Sequence, residues 1–258
     1  MRERGQPWRK APIQPWRKAP MHPMIELTLI QKIAVFALPV IFAITLHEAA
    51  HGYVARFFGD MTAAAAGRIT ANPLKHIDPV GTILVPLLIL LTSKLLGGGA
   101  ILFGWAKPVP VNFARLRRPK QDMLWVALAG PGMNFVMAVF WALAIQLGYA
   151  LGSGFASAPL MLMGAAGVFI NVILMALNLI PLPPLDGGRI AVSLLPMKQA
   201  ISFSKIEPYG FFILLGLMFS GILGIIMWPL ISLFIHLTAL VTGLDTAQLL
   251  GLIQLVLS

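Results

Sequence analysis

An all-α polytopic membrane bundle of about four to six transmembrane helices, with one re-entrant or extended membrane-associated segment, is the fold this sequence predicts. Three observations carry it. Of 258 residues, 58% are hydrophobic and only 11% are charged, where a soluble domain carries roughly a quarter charged residues. Apolar runs long enough to cross a bilayer recur along the chain. Short basic stretches separate those runs, as cytoplasmic loops do under the positive-inside rule. The net charge of +10 therefore reads as membrane topology. It does not point to nucleic acid, because no basic arm with interleaved aromatics follows the N-terminus.

The elements follow in order. Residues 1–22 are a basic tail in which Gln6-Pro7-Trp8-Arg9-Lys10-Ala11-Pro12 recurs unchanged as Gln14-Pro15-Trp16-Arg17-Lys18-Ala19-Pro20. Proline and charge at that density build no core, so the tail is expected to be disordered and 23–258 to form a single membrane-embedded domain. The apolar run after it is too long for a cleavable signal and lacks a small-residue cleavage site. The first span covers 25–58, with Pro39 as a kink. A polar loop, 59–79, holds Arg68, Lys75 and His76. Residues 80–96 are long enough to cross or to dip and return, ending at Gly97-Gly98-Gly99. Residues 101–112 hold too much proline for helix and predict extended chain or an edge strand. Spans at 122–151 and 160–180 come next, and Pro181-Leu182-Pro183-Pro184-Leu185-Asp186-Gly187-Gly188 interrupts the second. The last apolar region, 208–241, is expected to kink or break at Pro229, and 245–258 to form an interfacial helix.

The chemistry lies in His47-Glu48-Ala49-Ala50-His51, inside the first span. Histidines four apart share one helix face and can hold a single Zn²⁺, and the glutamate beside the first can take a proton from an activated water. Three ionisable groups at membrane depth are costly and so mark function. A catalytic zinc keeps three protein ligands and an open position. The chain has no cysteine, so the third ligand must be His, Asp or Glu. Asp186 is the candidate, since it follows a proline-broken segment and precedes two glycines that permit close backbone approach. The competing reading of Asp186 is a plain helix N-cap. His22, His76 and His236 carry no motif around them.

These residues resemble the site-2 proteases, the intramembrane zinc metalloproteases. The resemblance rests on His47–His51, on Asn178-Leu179-Ile180-Pro181-Leu182-Pro183-Pro184-Leu185-Asp186-Gly187-Gly188, and on Gly130-Pro131-Gly132-Met133-Asn134 between them. It covers residues 25–205 and matches the short bacterial forms, with no PDZ or CBS module expected. It implies one Zn²⁺ per chain held by His47, His51 and Asp186, with Glu48 as the catalytic acid–base. A substrate helix must unwind before it can be cut, and bare backbone in lipid costs several kcal/mol per unsatisfied group. Asn134 and Asn178 are therefore candidates to contact the unwound substrate, with interhelical hydrogen bonding as the competing role of each, equally weighted for Asn134, and the 104–111 and 181–185 stretches are expected to offer it a strand edge. The implied partners are a transmembrane protein substrate and membrane lipid, with no nucleic acid. A metal-ion transporter or a non-catalytic metal-binding scaffold is the alternative. Few further intramembrane acids are available for an ion path, and Glu48 is intact.

Positive charge at 68–75 and 107–120 puts the active site toward the cytoplasmic side of the cell membrane. One crossing by 25–58 then leaves the N-terminus outside. The basic tail, with Arg2, Arg4, Arg9 and Lys10, opposes that assignment.

Overall fold

A computed structural model describes residues 27–84, 88 and 107–258. Among them the chain is helical and no strand forms. The repeat-bearing tail, most of 80–96 and residues 101–106 lie outside the described residues. The tail and the choice between a spanning and a re-entrant 80–96 segment are therefore not addressed by it.

Helix α1 (Leu29–Phe57) opens with a capping box. The Thr28 hydroxyl accepts from the Gln31 N–H at 3.3 Å, and the Gln31 side chain returns to the Thr28 N–H at 2.9 Å. Pro39 lies inside this helix without ending it. A single turn, α2 (Thr62–Ala65), and a 3-10 turn (Pro73–Lys75) fill the polar loop, and a short π-helical stretch, Pro79–Leu84, follows. Helices α3 (Pro119–Ala150) and α4 (Ser157–Asn178) form the centre of the molecule. Small residues line their contact: Ala138, Ala142, Ala165 and Ala166 are fully buried, and a Cβ on Gly167 would enter the Trp141 ring. Close backbone approach of this kind is how helices associate in lipid, where no hydrophobic gain separates helix from solvent.

Beyond the broken turn come α5 (Asp186–Leu194), α6 (Met197–Ser204), α7 (Gly210–Phe219), α8 (Ile222–Thr242) and α9 (Thr246–Leu257). Among the described residues, five helical segments are long and apolar enough to cross a membrane: Leu29–Phe57, Pro119–Ala150, Ser157–Asn178, Met197–Phe219 and Ile222–Thr242. Their outward faces are apolar, with Ile30 at 79%, Ile225 at 75% and Trp228 at 66% exposure. A soluble monomer does not carry apolar surface on that scale, and lipid accommodates it.

One boundary differs from expectation. The last apolar region divides at Gly221, which sits at φ 75°, while Pro229 is carried inside α8. A proline deletes one helical hydrogen bond, whereas a left-handed residue reverses the chain path, so the glycine sets the break. Residues 245–258 form a helix as expected, N-capped by Asp245 to Ala247 and Gln248.

Candidate metal centre

Helix α3 packs behind the His47–His51 face of α1. On α3, Val126, Gly130 and Asn134 are four residues apart and so form one stripe. The His51 Nδ1 donates to the Val126 carbonyl at 2.7 Å. The His47 Nδ1 lies 2.6 Å from the Asn134 Oδ1. Asn134 spends its Nδ2 on the Ala43 carbonyl at 3.2 Å and on the Asn171 Oδ1 at 2.9 Å. Its oxygen therefore accepts from His47. Asn171 in turn donates to the Gly167 carbonyl at 2.8 Å, and both asparagines are fully buried. Between them, Gly130 lets the α3 backbone touch the imidazoles. A Cβ there would overlap the ring tips of both His47 and His51.

Because both Nδ1 atoms donate, both Nε2 atoms of the neutral rings carry lone pairs. Those atoms face each other at 3.0 Å, and the Asp186 Oδ2 lies 3.2 Å from one and 3.3 Å from the other. Oδ2 is buried and makes no hydrogen bond. Three lone-pair atoms brought together away from water repel one another unless a cation lies among them. Tetrahedral zinc with bonds of about 2.0–2.1 Å sets its ligand atoms roughly 3.3 Å apart. The observed triangle, 3.0 to 3.3 Å on its sides, fits that ion. It is the single cluster of metal-ligating side chains among the described residues.

Asp186 reaches the triangle from α5, which starts at that residue. The preceding segment turns tightly through Leu182 N–H to Ile180 carbonyl at 2.7 Å and Leu185 N–H to Leu182 carbonyl at 2.9 Å. Leu185, not Asp186, is the N-cap, and the cap makes no side-chain bond. The plain capping role considered for Asp186 is thus not used, and its carboxylate turns to the histidines. Gly187 lets this start nest under the chain, since a Cβ there would strike the Leu179 and Ile180 carbonyls. Arg189 then ties α5 outward, 3.2 Å from Glu207 and over the Phe113 ring at 4.9 Å. The Lys120 Nζ on α3 donates to the Leu195 carbonyl at the far end of α5.

Glu48 faces a strap formed by residues 107–112. The Val109 N–H donates to the Glu48 Oε2 at 2.7 Å. This is the described part of the 101–112 stretch expected to be extended; it bonds to the Glu48, Asp60 and Arg68 side chains and to the His76 carbonyl, and no sheet forms among the described residues. Asp60 accepts from the Asn112 N–H at 2.7 Å and from Thr62. Burial alone would raise the Asp60 carboxyl. The Thr62 hydroxyl, the N–H groups of Asn112 and Thr62 and the Arg115 charge together hold it below the ordinary carboxylate range. On the other side of α1, an apolar cavity of about 380 Å³ lies between Ala49, Ala50, Tyr53, Ile69, Ala129 and Met133.

Sequence reasoning grouped His47, Glu48, His51 and Asp186; the structure brings ligating atoms of His47, His51 and Asp186 within 4.8 Å of one another and sets Glu48, next to His47 on α1, against the Val109 N–H. Of the two readings of Asn134, its amide makes the bonds between helices, to His47, Ala43 and Asn171, in a fully buried position. Asn178 donates one N–H to the Leu174 carbonyl at 3.0 Å and remains partly exposed. Val126 and Asn171 were not singled out, and Gly130 was named only within the Gly130–Asn134 segment, with no role of its own. An asparagine in the middle of the apolar run 160–180 was the available signal for Asn171. A carbonyl such as that of Val126 leaves none.

The family described as Peptidase family M50 matches residues 149–221. The chain is 37% identical over 195 residues to "Putative zinc metalloprotease YwhC" of Bacillus subtilis, covering 74% of this chain and 83% of the relative. It is 28% identical over 207 residues to "Putative zinc metalloprotease Rip2" of Mycolicibacterium smegmatis, with 80% and 74% covered. A Rip2 of Mycobacterium tuberculosis is 30% identical over 149 residues, 56% of this chain and 51% of the relative. No solved structure matches the chain.

Proposed function

We propose, from the premise that this chain belongs to peptidase family M50, the site-2 proteases, that it cuts peptide bonds within or near transmembrane segments of other proteins in regulated intramembrane proteolysis. The chain is a multi-pass membrane protein and a zinc metalloprotease. The observation that carries the finer reading is the lone-pair triangle of His47, His51 and Asp186, set among apolar helices and flanked by Glu48.

In this reading His47, His51 and Asp186 hold one zinc ion. Bound there, zinc supplies Lewis acidity and brings the pKa of a water to about 7. Glu48 accepts the proton of the attacking water at Oε1, the oxygen without a hydrogen bond among the described residues, and delivers it to the leaving amine nitrogen. Asn134 acts as a positioning residue through His47. Asn178 keeps an N–H and its carbonyl oxygen for the backbone of an unwound substrate. The apolar cavity beside α1 suits the hydrophobic side chains of a transmembrane substrate, and lipid covers the outward helix faces. Residues 23–258 form the catalytic domain and 1–22 an appended tail. The basic residues flanking the strap support an active site toward the cytoplasmic side of the cell membrane.

The test compares wild type with Glu48→Gln, each in liposomes with a reporter protein bearing one transmembrane helix. Zinc is expected in both and cleavage in wild type alone. Cleavage by Glu48→Gln, or wild type without stoichiometric zinc, would sink the reading.

A further inference from the structure

Residues 107–112 run past Glu48 as a strap in which the Lys107, Val109 and Asn112 N–H groups and the Lys107 and Pro108 carbonyls are hydrogen-bonded. Pro108 and Pro110 have no N–H, so Val109 carries the single backbone donor of the tripeptide 108–110. That donor meets the Glu48 Oε2 at 2.7 Å. Both flanks are pinned. The Lys107 N–H donates to the His76 carbonyl at 2.9 Å, and the Asn112 N–H to the Asp60 Oδ2 at 2.7 Å. Arg68, only 8% exposed, donates its Nη2 to the Lys107 carbonyl at 3.0 Å and to the Pro108 carbonyl at 3.4 Å.

The Pro108 carbonyl and the Val109 N–H belong to one peptide group. A guanidinium on its oxygen and a carboxylate on its hydrogen polarise it in the same sense, so each bond strengthens the other. Val109 is also packed against α1: a Cβ on Gly52 would touch its Cγ1 at 3.0 Å. Glu48 is thus held by a backbone donor whose orientation is set by a buried cation one peptide away and a buried carboxylate three residues on.

We infer that the 107–112 strap is the positioning device of Glu48, with the Val109 N–H fixing one carboxylate oxygen and Arg68 and Asp60 acting through the strap as positioning residues. This rests on the protease reading above, and it assigns roles to Arg68, Val109 and Asp60 that the metal centre alone does not require. Free carboxylate rotation would spread Glu48 over orientations that do not face the attacking water. Holding one oxygen converts that search into a fixed geometry. Among the described residues none of the three hydrogen-bonds to His47, His51 or Asp186, so their loss is expected to leave zinc in place.

Two measurements on the full chain with zinc bound test it. The first reads hydrogen exchange at the Val109 amide by NMR of ¹⁵N-valine-labelled protein in detergent. Exchange is expected to be at least ten-fold faster in Glu48→Ala and in Arg68→Ala than in wild type. Equal protection in Glu48→Ala overturns the inference, whether or not any reporter is cleaved. The second uses a transmembrane reporter that wild type cleaves and Glu48→Gln does not. Val109→Pro deletes the donor in an already proline-rich strap, and its kcat is expected to fall at least ten-fold further than that of Val109→Ala. Arg68→Ala is expected to lower kcat with KM and zinc content within two-fold, and Arg68→Lys to recover part of the loss. Val109→Pro with wild-type kcat, or loss of zinc in Val109→Pro and Arg68→Ala, overturns the assignment. Failure of wild type to cleave any reporter counts instead against the protease reading.

Discussion

Replacing Asn134 with alanine separates the two jobs that its amide performs. Its oxygen orients His47, and its Nδ2 holds Asn171. Outer hydrogen bonds of this kind are typically worth ten- to a hundred-fold in metal affinity, which is about 1.4–2.8 kcal/mol. Zinc on Nε2 makes the Nδ1 proton more acidic, so losing its acceptor weakens the zinc-bound state more than the free one. The Asn171 Oδ1 is left without a donor in either state, a cost to stability of about 1–3 kcal/mol. Asn134→Ala should therefore bind zinc ten- to a hundred-fold more weakly in competition with a chelator of known affinity. It should also melt at lower temperature even without zinc. Adding Asn171→Ala removes the stranded oxygen and should return part of the metal-free stability while leaving the zinc deficit intact. Zinc affinity within two-fold of wild type refutes the orienting role. Restoration of zinc affinity by Asn171→Ala would place the defect in helix packing.

Gly130→Ala puts a methyl group into both imidazole tips, so the protein should lose stoichiometric zinc while keeping its helix content by circular dichroism. Asp60 titrates below its unfolded value of about 3.9, so its contribution is present above that pH and disappears as pH falls through the folded value. Asp60→Asn should accordingly lower the melting temperature at pH 7 and reduce the acid dependence of stability below about pH 4; an unchanged acid limb contradicts the bonding described for Asp60. A reporter fused ahead of residue 1 should read as non-cytoplasmic, and a cytoplasmic signal reverses the proposed orientation.

What was legible in the sequence follows a physical pattern. His47 and His51 could be read because a helical period of four fixes two side chains on one face without any knowledge of partners. Asp186 could be read because proline on one side and glycine on the other restrict the backbone to a turn that few roles need. Asn134 was recognised as unusual but left between two roles, since a helix sequence does not say which polar residue faces the ligands and which faces a cleft. Asn171 sits in an unbroken apolar run and offered only its presence. Asn178 drew attention through the broken chain beside it, although one of its N–H groups closes locally on Leu174. The Val126 carbonyl and the Val109 N–H are backbone atoms, and no side-chain pattern marks them. Pro229 was overweighted for a related reason: a proline's lost bond is local, while Gly221 changes the direction of the chain.

The two halves of the centre are held by different means, and that difference bears on how it is controlled. His47 and His51 are locked from behind by α3, each through a buried bond at 2.6 or 2.7 Å. Among the described residues Asp186 has no such bond, and its Oδ2 meets only the two histidines. It is placed by the glycine-nested start of α5 and by ties near the surface: Arg189 to Glu207 and Phe113, and Lys120 to Leu195. Exposed ion pairs and cation–π contacts are individually worth about 1 kcal/mol or less, whereas breaking the histidine bonds strands buried polar groups at about 1–3 kcal/mol each. A displacement of α5 is therefore the low-energy deformation of the centre. It changes the distance from the aspartate to the histidine pair while leaving that pair in register with α3. The same displacement moves Phe113, which follows directly on the strap that holds Glu48. In the proposed centre, a shift of α5 is thus expected to reach both Asp186 and, through Phe113, the segment that holds Glu48.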